Sequence, residues 1–316
     1  MKYLVTGGAG FIGSNIAQKL LKEGHFGRVL DNFFSGKREN LSFVDEFKGS
    51  GAFELIEGDI RDKSACEKAC EGMDYVLHQA ALRSVPKSME DPLSYNEVNI
   101  NGVLFMLQAA SKAKVKRFVF ASSSSVYGDT DKFPEKEDAY PLLISPYALS
   151  KLTGEYYCRI FSEFFKVETV CLRYFNVFGQ RQALDDEYAV VVPKFIHCIL
   201  NDEQPPIFGT GKQSRDFTFI ENVVQANILA ATVPGIKHDV FNVANGKDNT
   251  VLELVDSLNK IIGKNIQPKL LPVRPGDVFR TSADISKIRK NLGYEPAVSF
   301  EAGLRKTVDW FTKSKY

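Results

Sequence analysis

Tyr147 and Lys151 stand four residues apart in the run Ser145-Pro-Tyr-Ala-Leu-Ser-Lys151. On a helix that spacing puts both side chains on one face, a turn apart. An ammonium beside a phenol favours the phenolate. It would draw a group whose ordinary pKa is about 10 toward the neutral range where a general base works best. Upstream lies Ser122-Ser-Ser-Ser125-Val-Tyr-Gly128. A serine hydroxyl from this cluster, set beside the phenol, can relay a proton. A tyrosine and a lysine at this spacing also occur at the start of ordinary surface helices, so the chemistry depends on what surrounds them.

A second group of residues supplies that context. Thr6-Gly7-Gly8-Ala9-Gly10-Phe11-Ile12-Gly13 satisfies G-x-G-x-x-G through residues 8, 10 and 13, and G-x-x-G-x-x-G through 7, 10 and 13. Glycine is needed there because a Cβ would block both the tight turn and the approach of a pyrophosphate. The helix that follows offers free N–H groups and the positive end of its dipole. The motif is weak alone and strong between the first strand and first helix of a βαβ unit. Asp31 ends the second strand, where a carboxylate accepts hydrogen bonds from adenosine ribose hydroxyls and repels a 2′-phosphate. That favours NAD over NADP, with Lys37 and Arg38 close by as a counter-indication. Asp59 follows the third strand, where an adenine edge could sit. The alternative for Asp31 is a loop or capping carboxylate.

The elements that must position these groups are legible in the hydrophobic pattern. Strands are expected over Lys2–Thr6, Arg28–Asp31, Phe53–Glu57, Tyr75–His78 and Arg117–Ser122. Helical periodicity joins them: Ile12, Ile16 and Leu20 in the first, then about Lys63–Glu71, then Val98–Ala113. Such alternation implies an α/β fold, a doubly wound parallel sheet covered on both faces. Past residue 173 glycine and proline become frequent, and a smaller, loop-rich α/β region is expected, with strands at Phe241–Ala244 and Ile266–Leu271. The expected division is interleaved. One domain takes residues 1–173 with a segment near 218–243, and a substrate domain takes 174–217 and 244–316.

Composition narrows the classes. Of 316 residues, 44% are hydrophobic and 25% charged, and Lys+Arg 40 against Asp+Glu 39 leaves a net charge of +1. That balance excludes a nucleic-acid binder driven by phosphate neutralisation. No apolar stretch reaches the roughly 18 residues of a membrane span, and the N-terminus lacks the pattern of a secretory signal. The five cysteines are scattered and the four histidines form no HxxxH or HxH pattern. A cytoplasmic protein without metal or disulfides is expected.

The set TGGAGFIG, Asp31, Asp59, SSSSVYG and YALSK resembles the extended short-chain dehydrogenase/reductase family over essentially the whole chain. Its members are nucleotide-sugar epimerases, dehydratases and decarboxylases. The resemblance implies an NAD site built from Gly7, Gly10, Phe11, Ile12 and Gly13, then Asp31, Asn32, Ser35 and Gly36. Asp59, Ile60, Gln79, Ala80 and Ala81 continue it, and Asn99, Tyr147, Lys151 and Tyr174 complete it. Ser123, Tyr147 and Lys151 would be catalytic. Substrate contacts would come from Ser84, Ser123, Ser124, Tyr147, Asn176, Arg215, Arg274, Asp277 and Thr281. Asn176 would touch the diphosphate-sugar, the two arginines would clamp the diphosphate, and Asp277 would bind the uridine ribose.

The resemblance also implies which reaction. The 4,6-dehydratases of the family carry Asp-Glu after the catalytic Ser/Thr, and the glucuronate decarboxylases carry Glu before Val-Tyr-Gly. Here Ser124 and Ser125 occupy those places, which leaves oxidation and re-reduction at C4, an epimerisation. Gln79–Ser88, FNVFGQRQ and SRDFTFIENVVQAN are most similar to bacterial UDP-N-acetylglucosamine 4-epimerases. Thr281 matches a position where tyrosine restricts the pocket to plain hexoses, and a smaller residue leaves room for an N-acetyl group. UDP-glucose and UDP-glucuronate 4-epimerases are the alternatives, and a cofactor-sensing regulatory protein is the rival outside enzymes. Family members pair two subunits through two helices each. In this chain those lie near Asn99–Ala113 and Tyr147–Phe165, with Leu104, Leu107, Phe161 and Phe164 as candidate contacts.

Overall fold

A computed structural model describes residues 1–184, 191–273 and 278–313. Its centre is a seven-stranded parallel sheet. The strands are β1 (Lys2–Thr6), β2 (Phe26–Asp31), β3 (Phe53–Glu57), β4 (Tyr75–His78), β5 (Arg117–Ser123), β6 (Glu168–Tyr174) and β7 (His238–Val243), in the order β3-β2-β1-β4-β5-β6-β7. The strands are apolar on both sides. Tyr3 and Val5 join one core cluster and Leu4 the other, and Val119 and Phe118 divide in the same way. A sheet buried on both faces needs helices on both. On one face lie α1 (Phe11–Lys22) and a helix from Ile220 to Thr232. On the other lie α2 (Lys63–Cys70), α3 (Gly102–Lys112) and α4 (Pro146–Phe164). The doubly wound arrangement expected from the alternation is present.

Three elements differ from expectation. The helix expected to start at Val98 opens as a π turn over Glu97–Asn101 before α3 begins at Gly102. There the Asn99 side chain turns inward, accepting from Leu82 N at 2.8 Å and donating to Leu82 O at 2.9 Å. The strand expected in the second region at Phe241–Ala244 is instead the sheet edge β7, pairing with β6 from His238↔Thr169 to Val243↔Tyr174. Its Phe241 and Val243 pack into the same core as Val170 and Leu172. The strand expected at Ile266–Leu271 shrinks to Lys269–Leu271, because the Asn259 amide captures both Ile266 N and O, at 2.9 and 3.0 Å.

The remaining chain forms a smaller layer beyond the carboxyl end of the sheet. Two-residue ladders pair Val177–Phe178 with Thr218–Phe219 and Ser214–Arg215 with Asn249–Thr250. All five cysteines are buried and unpaired. No helix among the described residues is long and apolar enough to cross a membrane.

Candidate functional site

β1 ends at Thr6 and the chain turns at once into α1. Gly7 has φ +66°, and a Cβ there would lie 2.8 Å from Ala80 N. A Cβ on Gly13 would lie 2.2 Å from the Gly7 carbonyl oxygen, so the loop closes only on glycine. Gly10 caps α1 with no side-chain acceptor, and the amides of the first turn open into a cleft of about 430 Å³ along the carboxyl end of the sheet. A bare helix start in such a cradle suits a diphosphate, so the residues present fit a dinucleotide.

At the far end of the loop, Asp31 Oδ2 accepts from Ala9 N and its Oδ1 from Phe33 N, both at 2.8 Å. Asp31 therefore ties the glycine loop to β2 as well as facing the cleft. Asn32, Ser35 and Gly36 continue the wall. Asn32 donates to Asp59 at 2.8 Å, and Arg61 grips the same carboxylate through its backbone and guanidinium, which holds Asp59 down at about 2. Ile60 and the Gln79-Ala80-Ala81 run after β4 also line the cleft.

The other end belongs to β5 and α4. Ser145 caps α4, accepting from Ala148 N at 3.1 Å, and Pro146 takes the first helical turn. Tyr147 and Lys151 therefore share the helix face that looks onto the end of β5, and both line the cleft with Ser123. Ser123 is the polar neighbour that acts on the phenol, and Ser125 Oγ donates to Ser123 Oγ at 2.9 Å. Ser124 starts the turn after β5 and does not line the cleft.

The electrostatics differ from the simple ammonium–phenol picture. Burial pushes the Tyr147 phenol above its usual value, with the polar Ser123 side chain and the charge of Arg83 acting against it. The Lys151 Nζ is 5.8 Å from the Tyr147 ring centre and donates to the Ala121 carbonyl at 2.8 Å. Burial draws its own pKa down to about 7. A lysine held this way is only partly charged at neutral pH, so in the protein alone desolvation of the phenol outweighs the lysine's attraction.

Other expected residues fall at varied depths. Tyr174 lines the cleft, its hydroxyl shared among Gln79 and Asn227. Asn99 lies behind the wall, bracing Leu82 and Ser150. Ser84 caps a short helix, Val85–Glu90, and lies outside the wall. Asn176 lines the cleft with its backbone in the left-handed region, φ +36°. Its amide donates to Thr281 Oγ1 at 2.8 Å, so Thr281 stands one side chain back. Arg215 is turned onto the carbonyls of Ser214, Val278 and Phe279, away from the cleft wall. Arg274 and Asp277 lie outside the described residues.

Arg83, Arg181 and Gln182 also line the cleft, and none was anticipated. Arg181 donates to Gln18 at 2.8 Å and stacks 5.1 Å from the Phe43 ring centre. Its Nη1 and the Gln182 Oε1 are buried without a hydrogen-bond partner among the described residues. The signal was available in FNVFGQRQ, where a basic residue follows a glycine close to Asn176.

A glycine loop at the carboxyl end of a parallel sheet, opening a cleft that a Tyr–Lys helix and a serine close, defines a dinucleotide-dependent enzyme of the short-chain type. The chain belongs to the NAD dependent epimerase/dehydratase family, whose model matches residues 3–244. It is similar in structure to a UDP-N-acetylglucosamine 4-epimerase from Methanobrevibacter ruminantium M1 in complex with UDP-N-acetylmuramic acid (41% identity, TM-score 0.93, 98% of each chain). It also resembles a UDP-glucose 4-epimerase from Thermotoga maritima with UDP-glucose (38% identity, TM-score 0.92, 99% of each chain). A UDP-glucuronate 4-epimerase of Thermodesulfobacterium geofontis is 34% identical over 98% of this chain and 95% of that protein.

Proposed function

We propose that the protein is a UDP-sugar 4-epimerase that uses bound NAD and interconverts UDP-N-acetylglucosamine and UDP-N-acetylgalactosamine, with UDP-glucose and UDP-galactose as further substrates. The observation that carries the reading is the convergence of Ser123, Tyr147 and Lys151 on one end of the cleft that the glycine loop opens. The relatives are named for three different sugars, and the choice among them rests on Thr281, which is small and backs Asn176 at the cleft wall.

In this reading the glycine-loop amides hold the diphosphate of the dinucleotide, Asp31 the adenosine ribose, and Lys151 the nicotinamide ribose. The bound dinucleotide supplies a hydride acceptor and donor. Tyr147, relayed by Ser123, takes the proton of the sugar 4-hydroxyl and returns it after the sugar has turned. Asn176, with Arg274 and Asp277, retains the nucleotide while the sugar rotates. The carboxylates among the described cleft residues are Asp31 and Asp59, both at the adenosine end. Nothing acidic described near Tyr147 would divert a C4 ketone into elimination.

The division into a cofactor domain (1–173 with 218–243) and a substrate domain (174–217 and 244–316) belongs to the same proposal, as does a homodimer. Leu107 and Phe161 are buried in the chain's own core, but Phe164, Tyr156 and Leu149 on α4 are exposed, at 73%, 57% and 52%. Leu149 also lines an apolar groove with Met89, Leu93 and Ile144. A second copy covering this face accounts for so much exposed apolar surface on one helix.

The test is to incubate the NAD-loaded protein with UDP-GlcNAc, UDP-glucose and UDP-glucuronate separately and follow each by proton NMR. UDP-GalNAc should appear from the first. Conversion of none of the three at C4 overturns the epimerase reading, and conversion of UDP-glucuronate alone overturns the assignment of the sugar.

A further inference from the structure

Two buried carboxylates outside the catalytic group remain unexplained by the mechanism. Glu135 is 2% exposed and Asp216 0%, and neither has a cation as a direct hydrogen-bond partner among the contacts described for it. Burial of a charge without a counter-ion is costly unless the charge is fully hydrogen-bonded, so each carboxylate should be holding something that matters.

What they hold is the backbone around Thr281. Glu135 Oε2 accepts from Ser282 N at 2.6 Å, while Glu135 N donates to Ser282 O and Asp284 N to Glu135 O. On the other side, Asp216 N donates to Thr281 O at 3.0 Å. The Asp216 carboxylate accepts from Asn245 N and Gly246 N at 2.9 and 3.0 Å. The segment 281–284 is thus strapped between the two acids. Thr281 in turn receives the Asn176 amide, and the Asp216 carbonyl lies 3.4 Å from the same nitrogen. Asn176, in a left-handed conformation at the cleft wall, depends on this support for its direction.

We propose that Glu135 and Asp216 are positioning residues that set the depth of the sugar pocket by fixing Thr281 and, through it, Asn176. The proposal rests on the epimerase reading, in which Asn176 faces the sugar and Thr281 backs it. Burial raises both acids to about 7, so the strap is held by full charges above neutrality and by protonated groups below it. The charged and titratable groups facing the pair are each other, Arg280 and Asp248, with Tyr294 facing Asp216. Arg280 is committed to Asp248 at 2.9 Å.

The experiment measures kcat and KM for UDP-GlcNAc and UDP-glucose in the NAD-loaded wild type, Glu135→Ala and Glu135→Gln, from pH 6 to 8. The expected result is a rise of tenfold or more in KM for UDP-GlcNAc in Glu135→Ala, with kcat changed less than threefold and UDP-glucose affected less. Glu135→Gln, which keeps a neutral acceptor as the protonated acid does, should recover most of the loss and flatten the rise in wild-type KM toward pH 8. Equal effects on both sugars, or on kcat and KM alike, overturn the proposal, as does a wild-type profile in Glu135→Ala.

Amide exchange in the wild type tests the strap without any substitution. Protection of Ser282 N–H should rise between pH 8 and 6 relative to amides of the core strands, because the closed strap keeps a proton that the opened one releases, and constant protection overturns the proposal. If no UDP-sugar is epimerised at all, the functional reading fails, while the exchange measurement still judges the strap.

Discussion

At the scale of single residues, the proposed chemistry turns on a phenol whose ionisation burial opposes. Burial holds Tyr147 above its usual value, and Lys151, drawn to about 7 and tied to the Ala121 carbonyl, gives little help. The positive charge an oxidised dinucleotide brings into the same cleft is the natural complement. Phenolate absorbance that is present in wild type and absent in Tyr147→Phe should therefore appear at lower pH with NAD+ bound than in cofactor-stripped protein. An unchanged titration would return the burden to the lysine. The same Tyr147→Phe variant should keep NAD while losing turnover by about 10²–10⁴-fold, the usual worth of a positioned acid–base group; retained turnover would assign the base elsewhere. The YxxxK spacing put both groups on one helix face at the cleft, but the balance of desolvation and charge around them was invisible to it. Desolvation depends on what packs around a group, and that includes Phe120, whose ring lies 5.2 Å from the lysine nitrogen.

At the scale of elements, what the sequence made legible was local and what it hid was long-range. The glycine loop could be read because its constraint is steric and acts within a few residues: Gly13 against Gly7 at 2.2 Å. Gly13→Ala should abolish tight NAD binding, seen as loss of copurified cofactor, and lower stability by about 1–3 kcal/mol, as overpacking does. A variant that still retains cofactor would show that the loop can open. Gly128 was quoted only as part of the serine run, yet a Cβ there would lie 1.5 Å from the Leu142 carbonyl oxygen, a contact made fourteen residues away along the chain. The π turn at Glu97–Asn101 was hidden for a similar reason. Its cause is the grip of Asn99 on Leu82, seventeen residues back. β7 carried two readings, a strand of the second region and part of the 218–243 segment joined to the first domain, because its apolar alternation suits any sheet, and only the partner strand says which. Asn99, Thr281 and Arg215 were expected as contact residues, and none of them lines the cleft; a motif match does not tell a residue in the wall from one behind it.

At the scale of the whole molecule, titration and assembly give the remaining tests. Glu135 and Asp216 have ordinary values of 4.5 and 3.8 and lie near 7 in the fold. Between those limits the folded state holds protons that the unfolded chain has released, so stability contributed by these groups is present at low pH and lost as pH rises toward 7. His78 acts in the opposite sense. Burial lowers it from 6.5 to about 3, so stability falls as pH drops through that interval. Urea melts of Glu135→Gln should thus gain on the wild type by up to about 1.4 kcal/mol for each pH unit between 4.5 and 7, and a gap independent of pH would mean the acid is not buried as described. The groove along α4 is the other whole-molecule feature. Phe164, Tyr156 and Leu149 on one exposed helix face, joined to Leu93 at 75% exposure, expose more apolar surface than a monomer gains by leaving bare. Charge placed there desolvates badly on association. Leu149→Asp with Phe164→Asp should shift the protein from dimer to monomer in sedimentation velocity. It should leave NAD content intact, since neither residue lines the cleft. A monomeric wild type at micromolar concentration would leave that face without its second copy and defeat the assembly proposed here.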